Sequence, residues 1–213
     1  MTKVVKPDQQ GINAATDVLV QGGLLVYPTE TFYALGADHQ NSLALERLLI
    51  LKGRNASHTL PLILSYAEEV DNLCEPTYPI ELVRQLAQSF WPGPLTLILP
   101  ARPNLHPALT SPPMQTGSGR GVAVRLSSHS IASQLAKNLG RAIISTSANV
   151  TGKPATPEVR SLDYDIVTGI DMLLDGGACT GGLPSTILDL RTVPPFKIIR
   201  QGAINVPHEW LIQ

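Results

Sequence analysis

Two cysteines, Cys74 and Cys179, are all that the sequence contains, and they stand far apart with no Cys-x-x-Cys spacing. Their scarcity excludes a disulfide framework and a zinc knuckle and leaves both as buried or idle thiols. Long apolar runs are missing as well. None approaches the roughly 18 residues of a membrane span, and the opening Met1-Thr2-Lys3-Val4-Val5-Lys6-Pro7 lacks the apolar core of a secretory signal. A cytoplasmic location with no membrane partner is therefore expected. Charge is sparse too: Asp, Glu, Lys and Arg make up 15% of the chain against 43% hydrophobic residues, below the roughly 25% charged of an ordinary domain. Disorder is thereby excluded as the main state. The net charge of -1 excludes wholesale electrostatic binding of nucleic acid, so any basic function must be concentrated in a few residues of a local cleft.

The common catalytic signatures are also absent. Gly152-Lys153 is followed by Pro154 rather than Ser or Thr, so there is no P-loop, and Gly117-Ser118-Gly119-Arg120-Gly121 lacks dinucleotide spacing. No Gly-x-Ser-x-Gly elbow occurs. The five histidines, at 39, 58, 106, 129 and 208, include no pair at metal-ligand spacing, so a metal cage of protein ligands is not expected.

What is present is a chain of 213 residues, long enough for one full core. Ile12, Ala15, Val18 and Leu19 repeat at helical spacing and stop at Gly22-Gly23. Leu24 to Tyr27 reads as a buried strand closed by Pro28. Further helices are predicted from Leu43 to Leu51, capped by Asn41 or Ser42, from Ile80 to Phe90, and from Ser128 or Ser130 to Gly140. Further strands are predicted at 61–65, 96–99, 121–126, 141–145, 171–174, 186–190 and 196–200. Helices alternating with short apolar strands predict an α/β fold, a sheet covered by helices. Direct strand-to-strand neighbours make that sheet mixed. The whole chain, 1–213, reads as a single domain, with Pro100 to Arg120 as a long surface loop.

Polar clusters fall at the ends of predicted strands, where open α/β sheets place their ligands. Pro28-Thr29-Glu30-Thr31 either holds a small polar molecule or caps the next segment. Lys52-Gly53-Arg54 is either a pair of charges at a helix C-terminus or a phosphate clamp. Ser145-Thr146-Ser147-Ala148-Asn149 suits phosphate oxygens, a hydrated cation or simple helix capping. Arg125 lies inside an apolar strand pattern and needs a carboxylate, the protein's own or a ligand's. Ser185-Thr186 enters one strand and Arg200 leaves the last. Trp91, beside Pro92-Gly93-Pro94, reads as a core and turn element rather than a base-stacking platform.

These clusters, in this order, resemble the YrdC-like family, whose members include threonylcarbamoyl-adenylate synthases of tRNA modification. The resemblance spans nearly the whole chain: Tyr27 to Gly36, Lys52-Gly53-Arg54, Phe90 to Thr96, Val122 to Arg125, Ser147-Ala148-Asn149, Ser185-Thr186 and Ile199 to Gly202. The family's paired Lys-x-Arg and Ser-x-Asn are both intact. Two departures stand out. Longer members carry an extra C-terminal domain with no counterpart here, and Asn55 to Pro61 stands where members have a short proline-and-asparagine link.

The resemblance implies a twisted mixed sheet flanked by helices, with a large, open, positively charged cleft. It implies a nucleotidyltransferase that joins L-threonine, bicarbonate and ATP into threonylcarbamoyl-AMP and pyrophosphate, serving tRNA threonylcarbamoyladenosine directly or through a separate transferase complex. By the same resemblance Lys52, Arg54, Ser147 and Asn149 hold the triphosphate, with Mg²⁺ carried by the nucleotide and Arg200 as a further ATP contact. Arg125 would fork onto the threonine carboxylate, with Thr29, Ser145 and Ser185 around the amino acid's polar groups. Two alternatives are an RNA-binding module of the same fold without catalysis, against which the near-neutral charge speaks, and carbamoyl transfer to another acceptor, as in fused relatives.

Overall fold

Asn41 illustrates how local chemistry sets the elements: its side-chain oxygen accepts the Ala44 N–H and so starts a helix at Ser42. Asp8 does the same for the first helix by accepting from the Gly11 N–H. The computed structural model describes residues 2–53, 59–113 and 119–212. Their elements run β1 (Lys3–Val5), α1 (Gln9–Val20), β2 (Leu25–Tyr27), β3 (Ala34–Gly36), α2 (Ser42–Leu51), β4 (Leu62–Ile63), α3 (Val70–Leu73) and α4 (Ile80–Phe90). There follow β5 (Leu95–Pro100), β6 (Thr110–Ser111), β7 (Gly121–Arg125), α5 (Ser130–Leu139), β8 (Ile143–Ile144), β9 (Thr146–Ser147), α6 (Tyr164–Gly169), β10 (Met172–Leu174), β11 (Thr186–Asp189), β12 (Lys197–Arg200) and α7 (His208–Leu211).

The α/β class and the mixed pairing are as the sequence predicts, but the strands divide into two sheets rather than one. The first has the order β1-β10-β2-β3-β9, with β1, β10 and β2 parallel and β3 antiparallel to both of its neighbours. The second has the order β12-β11-β5-β7-β4-β8, with β6 added alongside β7. The chain passes from the second sheet to the first at Ser145, the single residue between β8 and β9. A short apolar run states that a strand is buried without stating which partner it will pair with, so the division was not legible in the pattern.

Alternation along the strands builds the layers. In β2, Leu25 and Tyr27 join Ile12, Ala15 and Leu19 of α1 and Ile131 and Leu135 of α5 in one apolar cluster. Val26 between them points the other way, into a larger cluster with Ala44, Leu45 and Leu48 of α2 and the second sheet's Leu97, Leu99, Val122 and Val124. The first sheet is thus covered on one face by α1 and α5, and the second sheet buries one face completely. Trp91 belongs to this core, with its Nε1 donating to the Leu95 carbonyl at 2.7 Å. The predicted loop from Pro100 to Arg120 is partly structured: Ala108, Leu109 and Thr110 are buried and Thr110–Ser111 forms β6. A two-residue strand carries no periodic signal, which is why a proline-rich stretch reads as loop. Residues 114–118 lie outside the described residues. Among the described residues no helix is long and apolar enough to cross a membrane.

Candidate active site

The second face of the second sheet is covered by α5 at β4 and β8, where Ile63 and Ile143 join the α1–α5 cluster, and is left concave beside them. Thr96 and Ile98 of β5, Ala123 and Arg125 of β7, Ile187 of β11, and Ile199 and Arg200 of β12 line a cavity of about 310 Å³ above it. Period-two alternation selects Thr96 and Ile98 of β5 and Ala123 and Arg125 of β7, while the β11–β12 pair departs from it at a register shift between Ile187 and Leu188. Pairing brings the residues side by side: Thr96 with Ile187, Ile187 with Arg200, and Ile98 with Ala123. The walls come from the first sheet and its connections, with Thr29 and Thr31 from the β2–β3 turn, Ala34 of β3, and Ser145 to Ser147 at the crossing between sheets. The cavity therefore sits at the seam of the two sheets.

Thr29 combines the two roles its cluster left open. It lines the cavity, and its hydroxyl ties the turn by accepting from the Thr31 and Phe32 N–H groups at 3.2 and 3.3 Å. Arg125 finds the protein's own carboxylate: Nη1 donates to Glu30 Oε1 at 2.5 Å, and Nη2 lies 3.4 Å from the Ser145 hydroxyl. Arg200 is exposed at the rim, and its Nε and Nη2 donate to the Ser185 carbonyl at 3.1 and 2.9 Å. The Ser185 hydroxyl accepts from Arg200 Nη2 at 3.0 Å and from Thr96 Oγ1 at 2.9 Å. A hydroxyl that accepts twice keeps its own proton for a third partner. Desolvation, and then repulsion from the neighbouring Arg125 guanidinium, lower the pKa of Arg200 from the ordinary arginine value. Arg125 and Arg200 both line this concave site and offer guanidinium donors suited to an anionic ligand.

Lys52 and Asn149 stand behind the cavity rather than in it. The Lys52 side chain is completely buried, and its Nζ donates to the Ser147 carbonyl at 2.5 Å and to Asn149 Oδ1 at 3.4 Å. Asn149 Nδ2 in turn donates to the carbonyls of Val150 and Lys153. Thr151 closes the brace from the other side, its N–H and hydroxyl both reaching the Lys52 carbonyl. The structure thus brings the Lys52 and Ser147–Asn149 motifs together, with Ser147 as the member that lines the cavity. Gly53 follows in the left-handed region at φ 60°, which ends α2. Arg54 and the residues through His58 lie outside the described residues, while Thr59 and Pro61 beyond them line the cavity.

Thr59, Thr96 and Phe32 of the lining were not singled out from the sequence. Thr96 had a signal, a polar residue within an apolar strand; Thr59 and Phe32 had none beyond their neighbours. The lining's Tyr33 is no base, because burial pushes its hydroxyl up to about 12, and that hydroxyl donates to the Gly177 carbonyl at 2.7 Å. Burial likewise raises the Cys74 thiol to about 12 and raises Cys179. A larger concavity of about 900 Å³ opens at the opposite ends of β4 and β8, beside Ser65 and Arg141. Size does not make it the better candidate. Its Arg141 is tied to Asp38 through three hydrogen bonds, and its Glu69 accepts from the Ser65 N–H, the Ser65 hydroxyl and the Ala142 N–H.

A sheet seam lined by hydroxyls and two guanidiniums gives this α/β protein a cavity whose chemistry suits a small anionic ligand. Residues 17–202 match the Sua5/YciO/YrdC family, described as telomere recombination, and the chain belongs to that family. It is 35% identical over 193 residues to the threonylcarbamoyl-AMP synthase of Pyrococcus abyssi, covering 91% of this chain and 54% of the relative. It is 36% identical over 193 residues to that of Thiobacillus denitrificans, covering 90% of this chain and 94% of the relative. The crystal structure of P. abyssi Sua5 complexed with L-threonine is similar with a TM-score of 0.78 at 32% identity, over 92% of this chain and 57% of that one. The chain thus spans little more than half the length of the P. abyssi relative, and likewise 57% of the one from Bacillus subtilis.

Proposed function

We propose that this chain is an L-threonylcarbamoyladenylate synthase, a nucleotidyltransferase acting in the cytoplasm on L-threonine, bicarbonate and ATP for tRNA threonylcarbamoyladenosine modification. The threonine amine, once deprotonated, attacks the bicarbonate carbon and water leaves, giving a carbamate. A carbamate oxygen then attacks the α-phosphorus of ATP, the bond from that phosphorus to the β-bridging oxygen breaks, and pyrophosphate departs. Neither step needs a covalent enzyme intermediate, so the protein's part is alignment and stabilisation of charge.

The observation that carries this reading is the convergence of Thr29, Arg125, Ser145, Ser147, Ser185 and Arg200 on one cavity of about 310 Å³. That volume is at the small end of ligand sites, which suits an amino acid and the reacting end of a nucleotide. The threonine-bound relative supports the choice of amino acid. Arg125 would meet the threonine carboxylate, with Thr29, Ser145 and Ser185 around its amine and hydroxyl. Arg54, Ser147 and Arg200 would meet the phosphates, while Lys52 and Asn149 serve them by holding the Ser147 segment. Among the described residues no three His, Cys, Asp or Glu side chains cluster to hold a metal. Mg²⁺ is proposed to arrive on the nucleotide. Handing the product on to tRNA is assigned to a separate transferase complex or to direct contact with the RNA.

The test is pyrophosphate release from ATP by the purified chain. Release should require both L-threonine and bicarbonate. Release driven by carbamoyl phosphate without threonine, or salt-sensitive tRNA binding with no ATP turnover, would replace this reading with carbamoyl transfer or with an RNA-binding module.

A further inference from the structure

Arg125 does not meet the cavity as a bare cation. Its partner Glu30 has a side chain only 11% exposed, against 8% for Arg125 itself. Both Glu30 oxygens are engaged: Oε1 accepts from Arg125 Nη1, and Oε2 accepts from the Ser127 hydroxyl. Ser127 is itself fixed, because its hydroxyl oxygen also accepts the His129 N–H at 3.2 Å. Thr29, Thr31 and Arg125 line the cavity while Glu30, between the two threonines in sequence, does not. The carboxylate therefore stands behind the guanidinium, and Nη2 is the end directed toward the Ser145 hydroxyl.

Two consequences follow for any ligand. A free arginine side chain has rotamer entropy to lose on binding, and a buried anion that fixes its plane removes that cost before the ligand arrives. The same anion cancels the charge of Arg125, so what Arg125 offers is a directed pair of donors rather than a positive potential. Arg200, whose described partners are the carbonyl and hydroxyl of Ser185, keeps its net charge for phosphate.

We propose that Glu30, supported by Ser127, is a positioning residue that makes Arg125 selective for a planar carboxylate over other anions. This rests on the reading above, in which Arg125 receives the threonine carboxylate. Without Glu30, Arg125 would become a loosely held cation that attracts small inorganic anions.

Calorimetric binding of L-threonine and of L-threoninamide to the full chain tests this, with sulfate as a competitor. The wild type should prefer threonine by on the order of tenfold or more, as expected for charge-assisted hydrogen bonds. In Glu30→Gln sulfate should compete several-fold more strongly for threonine binding, since the guanidinium is left uncompensated and its plane unfixed. Ser127→Ala, which leaves the ion pair in place, should shift the sulfate competition the same way by a smaller factor, and it serves if Glu30→Gln does not fold. Unchanged sulfate competition in the folded variants would overturn the role of Glu30 while leaving the enzyme assignment intact. A wild type that binds no threonine would overturn both.

Discussion

The Lys52 ammonium donates to the backbone oxygen of Ser147 at 2.5 Å, across 95 residues of chain. This contact joins the end of α2 to the segment where the chain crosses between the two sheets. It converts two motifs far apart in sequence into one wall of the cavity. Lys52→Met keeps the aliphatic stem and removes the donor, leaving the Ser147 carbonyl and Asn149 Oδ1 without it. Urea unfolding should show a loss of about 1–3 kcal/mol, the usual cost of stranding a buried acceptor, together with slower pyrophosphate release. Unchanged stability would remove the bracing role.

Arg125→Lys retains a charge opposite Glu30 but loses the fork. The KM for threonine should rise by on the order of tenfold to a hundredfold with the KM for ATP little changed, since only a carboxylate contact is removed. Steady-state kinetics with each substrate varied separately checks this, and an equal rise in both constants would reassign Arg125.

Arg200 is exposed, so its removal should leave stability within about 0.5 kcal/mol of wild type. Arg200→Ala should nevertheless weaken the use of ATP, because the guanidinium at the cavity rim is lost. Thermal unfolding and the ATP dependence of turnover separate the two effects. A variant with normal ATP kinetics would make the guanidinium's bond to Ser185 merely structural.

Gly202 packs against the backbone of Pro184 and Ser185, at the entry to β11. A methyl group there would lie 2.2 Å from the Pro184 carbonyl oxygen and 2.6 Å from the Ser185 carbonyl carbon, both backbone atoms that cannot swing aside. Gly202→Ala should therefore displace Ser185, costing about 1–3 kcal/mol of stability as overpacking does, and should reduce turnover. Denaturant unfolding and the pyrophosphate assay report the two effects, and a fully active variant would show that the Ser185 position tolerates movement.

His129 gives acid sensitivity a location. Its Nδ1 is buried with no hydrogen-bond partner among the described residues, and burial lowers its pKa while Glu30 opposes the shift. The unfolded chain, with an ordinary value of about 6.5, then binds a proton that the folded chain does not, so stability falls as pH drops below about 6.5. The loss levels off once pH passes below the folded value. His129→Gln should flatten the fall in unfolding temperature between about pH 7.5 and 5.5, and superimposable curves for variant and wild type would exclude His129 as a source.

Much of the molecule was legible from local physical chemistry. The helices from Ser42 to Leu51 and from Ile80 to Phe90, the strands around Leu97 and Val124, and the placing of Trp91 in the core all follow from periodicity, caps and apolar runs. The site motifs were legible as polar clusters at strand ends. β3, β6 and β9 were not: equally short β4 and β8 sit inside apolar runs that mark them, whereas Ala34–Gly36, Thr110–Ser111 and Thr146–Ser147 have no such run.

Composition and pattern by themselves determined the α/β class, the apolar interior and the identity of the hydroxyl- and arginine-bearing segments. Only the tertiary structure decided that the strands form two sheets, that Arg125 faces Glu30 as its counterion, and that Lys52 lies beneath Ser147 rather than beside it. The reason is that side-chain direction and burial depend on long-range pairing. Which residue shares a face with which is fixed by register between strands remote in the chain, and local sequence carries no record of that choice.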